Sequence, residues 1–174
     1  NTTYKHKSLS AITQAGLVNN LNDGMTWGLL PLLLLSKNFT LSQIGFLTAV
    51  YPTVWGISQL FTGKLSDLYS KRLLLFYGML LQAIAIIIIA YAKTEIHFIV
   101  IGISLGLGTA LVYPTFINAI ADYVHPMQRA ESLGTFRFWR DLGYAFGAII
   151  SGITADIFGI EYAILLIGGL TVLS

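Results

Sequence analysis

The chain contains no cysteine, which excludes a disulfide framework, a thiolate metal site and a cysteine nucleophile. Charge is nearly as scarce. Asp, Glu, Lys and Arg make up 10% of the 174 residues, against about a quarter in ordinary soluble domains. With 55% hydrophobic residues and a mean hydropathy of +0.73, such a chain cannot cover a water-facing surface, and lipid is its expected solvent. Ten basic against eight acidic residues leave a formal charge of +2. The basic residues are scattered between apolar runs instead of forming a patch, so no nucleic-acid partner is expected. No Gly-x-x-x-x-Gly-Lys-Ser/Thr loop occurs, and nothing supports ATP-driven work within the chain. No cofactor, metal site or catalytic residue is expected. The N-terminus lacks a short apolar core followed by a small-residue cleavage site, so the first apolar run is read as a retained helix.

What is present is a series of apolar runs, at about 9–35, 41–62, 73–92, 96–121, 133–155 and 160–174. A membrane-crossing helix needs roughly 20 residues. The first five runs reach that length; the sixth would extend only about 22 Å of a roughly 30 Å hydrocarbon core, so the chain is expected to stop inside its last helix. The expected fold class is all-α, a polytopic bundle of six transmembrane helices. Thr40-Leu41-Ser42-Gln43 is a capping box that opens the second helix. Lys5, Lys7, Lys64, Lys71, Arg72 and Arg129 fall on one side of the bundle, and only Lys37 and Lys93 on the other. The positive-inside rule then places the N-terminus and the 63–72 and 122–132 loops in the cytoplasm of a cell membrane, plasma or inner. An offset of 89 residues aligns Gly63-Lys64-Leu65-Ser66-Asp67 with Gly152-Ile153-Thr154-Ala155-Asp156, which suggests one three-helix unit used twice in inverted topology.

Polar groups inside the apolar runs are costly, and each is a candidate for function. In the first helix Asn19, Asn22, Asp23 and Thr26 share one face, with Trp27 beside them. Asp23 lies about 21 Å into a core roughly 30 Å thick. A carboxylate there either takes up a proton or finds a cation. The plainer reading makes it interhelical glue. On the fifth helix Arg137, Arg140, Asp141, Tyr144, Ala148 and Ser151 share a face that must look toward protein or a water-filled cavity. An internal pair of Arg137 with Asp141 would explain part of it. Tyr51, Trp55 and Gln59 form an amphipathic stripe on the second helix, suited to a solute-facing wall or simply to packing. Pro31, Pro52 and Pro114 are expected to kink their helices. Gly102, Gly106 and Gly108 give the fourth helix a close-packing face, and Asn118 and Asp122 form a polar pair at its end. The third helix, with Gln82 as its one strongly polar side chain, reads as peripheral.

The 63–72 segment resembles the Gly-x-Leu-x-Asp-x-x-Gly-Arg-Arg motif of the major facilitator superfamily. Gly63, Leu65, Asp67, Lys71 and Arg72 fit, and Ser70 stands where Gly is usual. Gly106-Leu107-Gly108, Tyr113-Pro114 and the stretch from Arg137 to Gly147 are similar to the fourth and fifth helices of one half of such a transporter, and Asn19–Gly28 resembles the helix that opens its C-terminal half. The resemblance implies that residues 1–174 form one six-helix half, the C-terminal one, which works with a second half by alternating access on a small solute, driven by a coupled ion; the acid inside the first helix points to a proton. It implies a cytoplasmic gate network of Gly63, Asp67, Lys71 and Arg72, with Asp122, Arg129 or Glu131 as partners; the plainer reading is that Lys71 and Arg72 only anchor the topology. The helix-one, helix-two and helix-five candidates would line the solute and ion path, with Asp23 as proton carrier and Asp141 second.

Two other classes fit six helices. One is a scaffold or receptor that transports nothing. The other, an intramembrane hydrolase, needs Gly-x-Ser-Gly; Gly102-Ile103-Ser104-Leu105 and Gly56-Ile57-Ser58-Gln59 both lack the final Gly, and His6, His97 and His125 are expected in loops. The chain is therefore not expected to be an enzyme.

Overall fold

The computed structural model describes residues 6–174, and Lys5 of the basic lead-in lies outside them. Six α-helices follow one another: α1 (Lys7–Ser36), α2 (Leu41–Leu68), α3 (Lys71–Ile89), α4 (Glu95–Tyr123), α5 (Arg129–Phe158) and α6 (Ile160–Leu173), with a single 3₁₀ turn, Pro126–Gln128, before α5. The all-α reading of the sequence is met. Four of the spans are long and apolar enough to cross a membrane: α2, α3, α4 and the unit from Pro126 to Phe158. α1 has the length, at 30 residues, but Asn19, Asn20, Asn22 and Asp23 dilute its hydropathy. α6 is apolar throughout and 14 residues long.

Local chemistry explains the boundaries. Thr40 accepts from the Gln43 backbone N–H while the Gln43 side chain accepts from the Thr40 N–H, so the expected capping box opens α2. Thr94 caps α4 by accepting from the His97 N–H. Gly159, at φ 99°, supplies the left-handed corner between α5 and α6 that a side chain would resist. All three intrahelical prolines are accommodated: α1, α2 and α4 run on through Pro31, Pro52 and Pro114.

Three expectations need correction. Residues 63–72 are not a loop. α2 continues to Leu68 and α3 begins at Lys71, leaving only Tyr69 and Ser70 outside helix; the charges of Lys64 and Asp67 ride on the exposed face of the last turns of α2, where they need no loop. The second expected loop, 122–132, shortens for the same reason, since α4 holds Asp122 and α5 starts at Arg129. His97 sits in the first turn of α4 instead of a loop.

The helices pair in a symmetric pattern. α1 packs mainly on α5 and α2 on α4, while α3 lies against α4 and α6. Shifting the first residues of α1, α2 and α3 (7, 41, 71) by 89 gives 96, 130 and 160, and the second three helices start at 95, 129 and 160. The first helix of each triplet embraces the second helix of the other, which is the pairing expected of two copies of one three-helix unit related by a two-fold axis.

Glycine sets the closest of these contacts. A Cβ on Gly143 would fall 2.1 Å from the Leu17 carbonyl oxygen, and one on Gly147 2.2 Å from that of Leu21; from the other side, a Cβ on Gly24 would meet the Tyr144 oxygen at 2.2 Å. α1 and α5 thus touch backbone to backbone along a Gly-x-x-x-Gly stripe. The predicted small-residue face of α4 behaves alike, with Gly106 against the Tyr51 oxygen and Gly108 against that of Gly78. Between the helices lie two apolar cores. One gathers Leu9, Ile12, Phe116, Ile120 and Phe136 at the end where α1 begins; the other gathers Met25, Leu33, Tyr51, Ile86 and Ile164 toward the opposite end.

Candidate functional site

The four helices α1, α2, α4 and α5 bring most of the predicted path residues to one side of the bundle. Asp23 of α1 accepts a close hydrogen bond from the Tyr51 hydroxyl of α2, and that hydroxyl also lies 3.3 Å from Thr109 Oγ1 of α4. Tyr51 can sit there because Gly106, with no side chain, lets α4 come down onto the α2 backbone. From Tyr51 a line of rings leads outward. Trp27 lies 6.2 Å from it on one side, and Trp55 stacks on the other at 6.2 Å and 12°. Tyr113 of α4 meets Trp55 edge-on at 6.0 Å, and the Arg140 guanidinium of α5 stands 5.1 Å over the Tyr113 ring, within cation–π range. A carboxylate on one helix and a guanidinium on another are thereby joined through aromatic faces. Gln59 lies two turns beyond Tyr51 on α2, half-buried.

Arg140 donates through Nε and an NH2 group to Asp141 Oδ1, at 3.2 and 3.0 Å. The alternative reading that paired Asp141 with Arg137 does not hold: Asp141 pairs with Arg140. Arg137 points outward and is exposed, while Arg140 is drawn over Tyr113 and meets its sequence neighbour on the way. Asp141 and Tyr144 are exposed, whereas Ser151, predicted on the same face, is buried. Ser151 continues the four-residue spacing of Gly143 and Gly147 along the side of α5 that packs on α1.

The polar face predicted for α1 divides. Asn19 and Asn22 turn away from Asp23 into the interior, where the Gln82 amide of α3 donates to Asn19 Oδ1 at 2.9 Å and accepts from Asn22 Nδ2 at 3.2 Å. Thr171 of α6 completes the set, donating to Asn22 Oδ1 at 2.7 Å. All four side chains are buried, so this is a satisfied interhelical network tying α1, α3 and α6. Thr26 Oγ1 is buried with no hydrogen-bond partner, as is Trp55 Nε1.

At the end of the bundle where α3 begins, Lys71 forms a close ion pair with Asp122, and the Asn118 amide donates to Ser66 Oγ. The predicted Asn118–Asp122 pair therefore reaches across to α2 and α3 instead of closing on itself. Arg129 donates to the Ala121 carbonyl at 3.3 Å. Gly63 accepts from Ser66 through its carbonyl. Asp67, Arg72 and Glu131 are exposed and have no ion pair among the described residues.

Sequence reasoning did not select Gln82, Thr109 or Tyr113 for these sites. Gln82 had a signal, as the lone amide of an apolar helix; Thr109 and Tyr113 had one only in their i, i+4 spacing on α4.

The family model of the Major Facilitator Superfamily matches residues 13–174, and the chain belongs to that family. Similar curated proteins include an "Uncharacterized MFS-type transporter" of Methanocaldococcus jannaschii, 26% identical over 132 residues, covering 76% of this chain and 34% of that protein. A "Hexuronate transporter" of Bacillus subtilis is 24% identical over 158 residues, covering 90% of this chain and 37% of that protein. The "Multidrug resistance protein MdtH" of Aeromonas hydrophila is 28% identical over 137 residues, covering 75% of this chain and 34% of that protein. The chain spans about a third of the length of these relatives. Family and apolar helices together make it part of an integral membrane protein.

Proposed function

We propose that this chain is the C-terminal six-helix half of a secondary transporter that moves a small solute by alternating access, coupled to protons, with its N-terminus in the cytoplasm of a cell membrane. The observation that carries the reading is the convergence of Asp23, Tyr51, Thr109, Tyr113 and Arg140 from α1, α2, α4 and α5. A scaffold needs interhelical polar bonds, and the Asn19–Gln82–Asn22–Thr171 network already supplies them on α1, α3 and α6. The Asp23–Arg140 side adds charges and aromatic rings that packing does not require.

Exposure supports the same division of labour. The buried residues of α5 are few, Ser132, Phe136, Gly143, Gly147 and Ser151, leaving Arg137, Asp141 and Tyr144 outward. Such a face is intolerable against hydrocarbon and natural against a water-filled cavity closed by a second bundle. The Lys71–Asp122 pair and the Ser66–Asn118 bond link α3 and α2 to the end of α4, and their making and breaking would gate the cytoplasmic mouth. The chain itself contributes no cysteine, which makes the test simple. Tyr144→Cys, in the intact transporter with other cysteines replaced, should react with a membrane-impermeant maleimide from either side of the membrane as the transporter cycles. Reaction only with a lipid-soluble maleimide would place this face against lipid and overturn the reading.

A further inference from the structure

We propose that the site takes an organic monoanion, a carboxylate attached to a flat or ring-shaped body, with Arg140 as its charge partner and the Trp55 indole N–H as a second donor. The inference rests on the translocation reading above and names its solute class. Four observations carry it.

The first is charge. The outward face of α5 holds Arg137 and Arg140 against Asp141 alone, a surplus of one positive charge. The carboxylate across the site, Asp23, already accepts from Tyr51, so it is less available to a cationic solute.

The second is the character of the Arg140–Asp141 pair. The side chain of Arg140 is 20% exposed and that of Asp141 64%. An exposed acid returns to water at little cost, since ion pairs open to solvent contribute little. A solute carboxylate can therefore replace Asp141 on the guanidinium: Arg140 stays neutralised and Asp141 is resolvated. Arg suits the task because its planar fork matches a carboxylate.

The third is the orphan donor. Trp55 Nε1 is buried without an acceptor, and Trp55 shares the Tyr113 ring with Arg140, the indole crossing it at 80° and the guanidinium standing over its face. A buried unpaired N–H is costly, and a ligand acceptor arriving beside Arg140 would satisfy it. An ammonium group in that place would bring no acceptor for either group.

The fourth is shape. The half-buried Trp55 is held nearly parallel to the buried Tyr51, at 12°, and its flat indole is a surface on which a planar body can stack.

Calorimetric titration of the purified full-length protein in detergent with benzoate, benzamide and benzylammonium tests this. The three share a ring and differ in charge. Benzoate should bind at least tenfold more tightly than benzamide, and benzylammonium more weakly still. Arg140→Gln should reduce the benzoate-to-benzamide preference to near one, Arg140→Lys should keep most of it, and Trp55→Phe, which retains a ring and removes the N–H, should weaken benzoate several-fold more than benzamide. Should Arg140→Gln fail to fold, the Trp55→Phe pair of titrations decides. Benzylammonium binding as tightly as benzoate, no benzoate preference in the wild type, or an unchanged preference in Trp55→Phe would overturn the inference. Titration reads binding without flux, so benzoate preference in a protein that transports nothing would sink the transport reading and leave this one standing.

Discussion

Substituting alanine for Gly147 should separate α1 from α5, and the structure sets the size of the effect. The added Cβ would lie 2.2 Å from the Leu21 carbonyl oxygen, whereas ordinary contact begins near 3.4 Å. The shortfall of 3.4 minus 2.2, or 1.2 Å, falls on a backbone atom that cannot rotate aside, so the helices themselves must part. Overpacking of this kind costs about 1–3 kcal/mol. α5 supplies its own controls: a Cβ on Gly134 or Gly152 meets nothing within 4 Å, and there alanine should be neutral or gain up to about 1 kcal/mol of helix propensity. Thermal unfolding of the full-length protein in detergent, followed by tryptophan fluorescence, distinguishes them. Gly147→Ala should therefore melt below wild type, and both controls at or above it. Gly147→Ala melting with the controls would refute the backbone contact between α1 and α5.

Gln82→Leu leaves Asn19 Oδ1 and Asn22 Nδ2 without partners and should cost about 1–3 kcal/mol in the same melt, with solute selectivity unchanged because the network lies away from the aromatic line. Asp122→Lys breaks the pair with Lys71; since such partly exposed pairs contribute at most about 1 kcal/mol, Tm should hardly move while transport falls, and the reciprocal Lys71→Asp/Asp122→Lys variant should recover much of it.

How much of this was legible beforehand depends on the range of each interaction. Helix number and the starts of α2 and α6 were, because they are set by neighbours in sequence: the Thr40–Gln43 box and the spacing of apolar runs. The loops were overestimated because charge was read as loop, although Lys64 and Asp67 are held on the surface of a continuing helix. Asp23, Tyr51, Trp55 and Arg140 stood out singly as costly groups in apolar runs. Their partners did not, since the choice of Tyr51 for Asp23, or of Tyr113 for Arg140, is made across helices. Asn19 and Asn22 share a helical face with Asp23 in sequence, yet the packing of α3 and α6 draws them into a separate network. The Gly143–Gly147 stripe went unread for a related reason: a glycine shows its purpose only when the carbonyl it admits is in view.

The coupling role of Asp23 is the claim most exposed to a single measurement, flux of a radiolabelled organic acid into proteoliposomes of the intact transporter carrying Asp23→Asn. Asparagine mimics the protonated acid and keeps an oxygen to accept from Tyr51. The account predicts that exchange of labelled for unlabelled solute across the membrane persists while accumulation driven by an imposed pH gradient is lost. Accumulation equal to wild type would contradict it, leaving Asp23 as a hydrogen-bonded packing group and placing the coupling elsewhere.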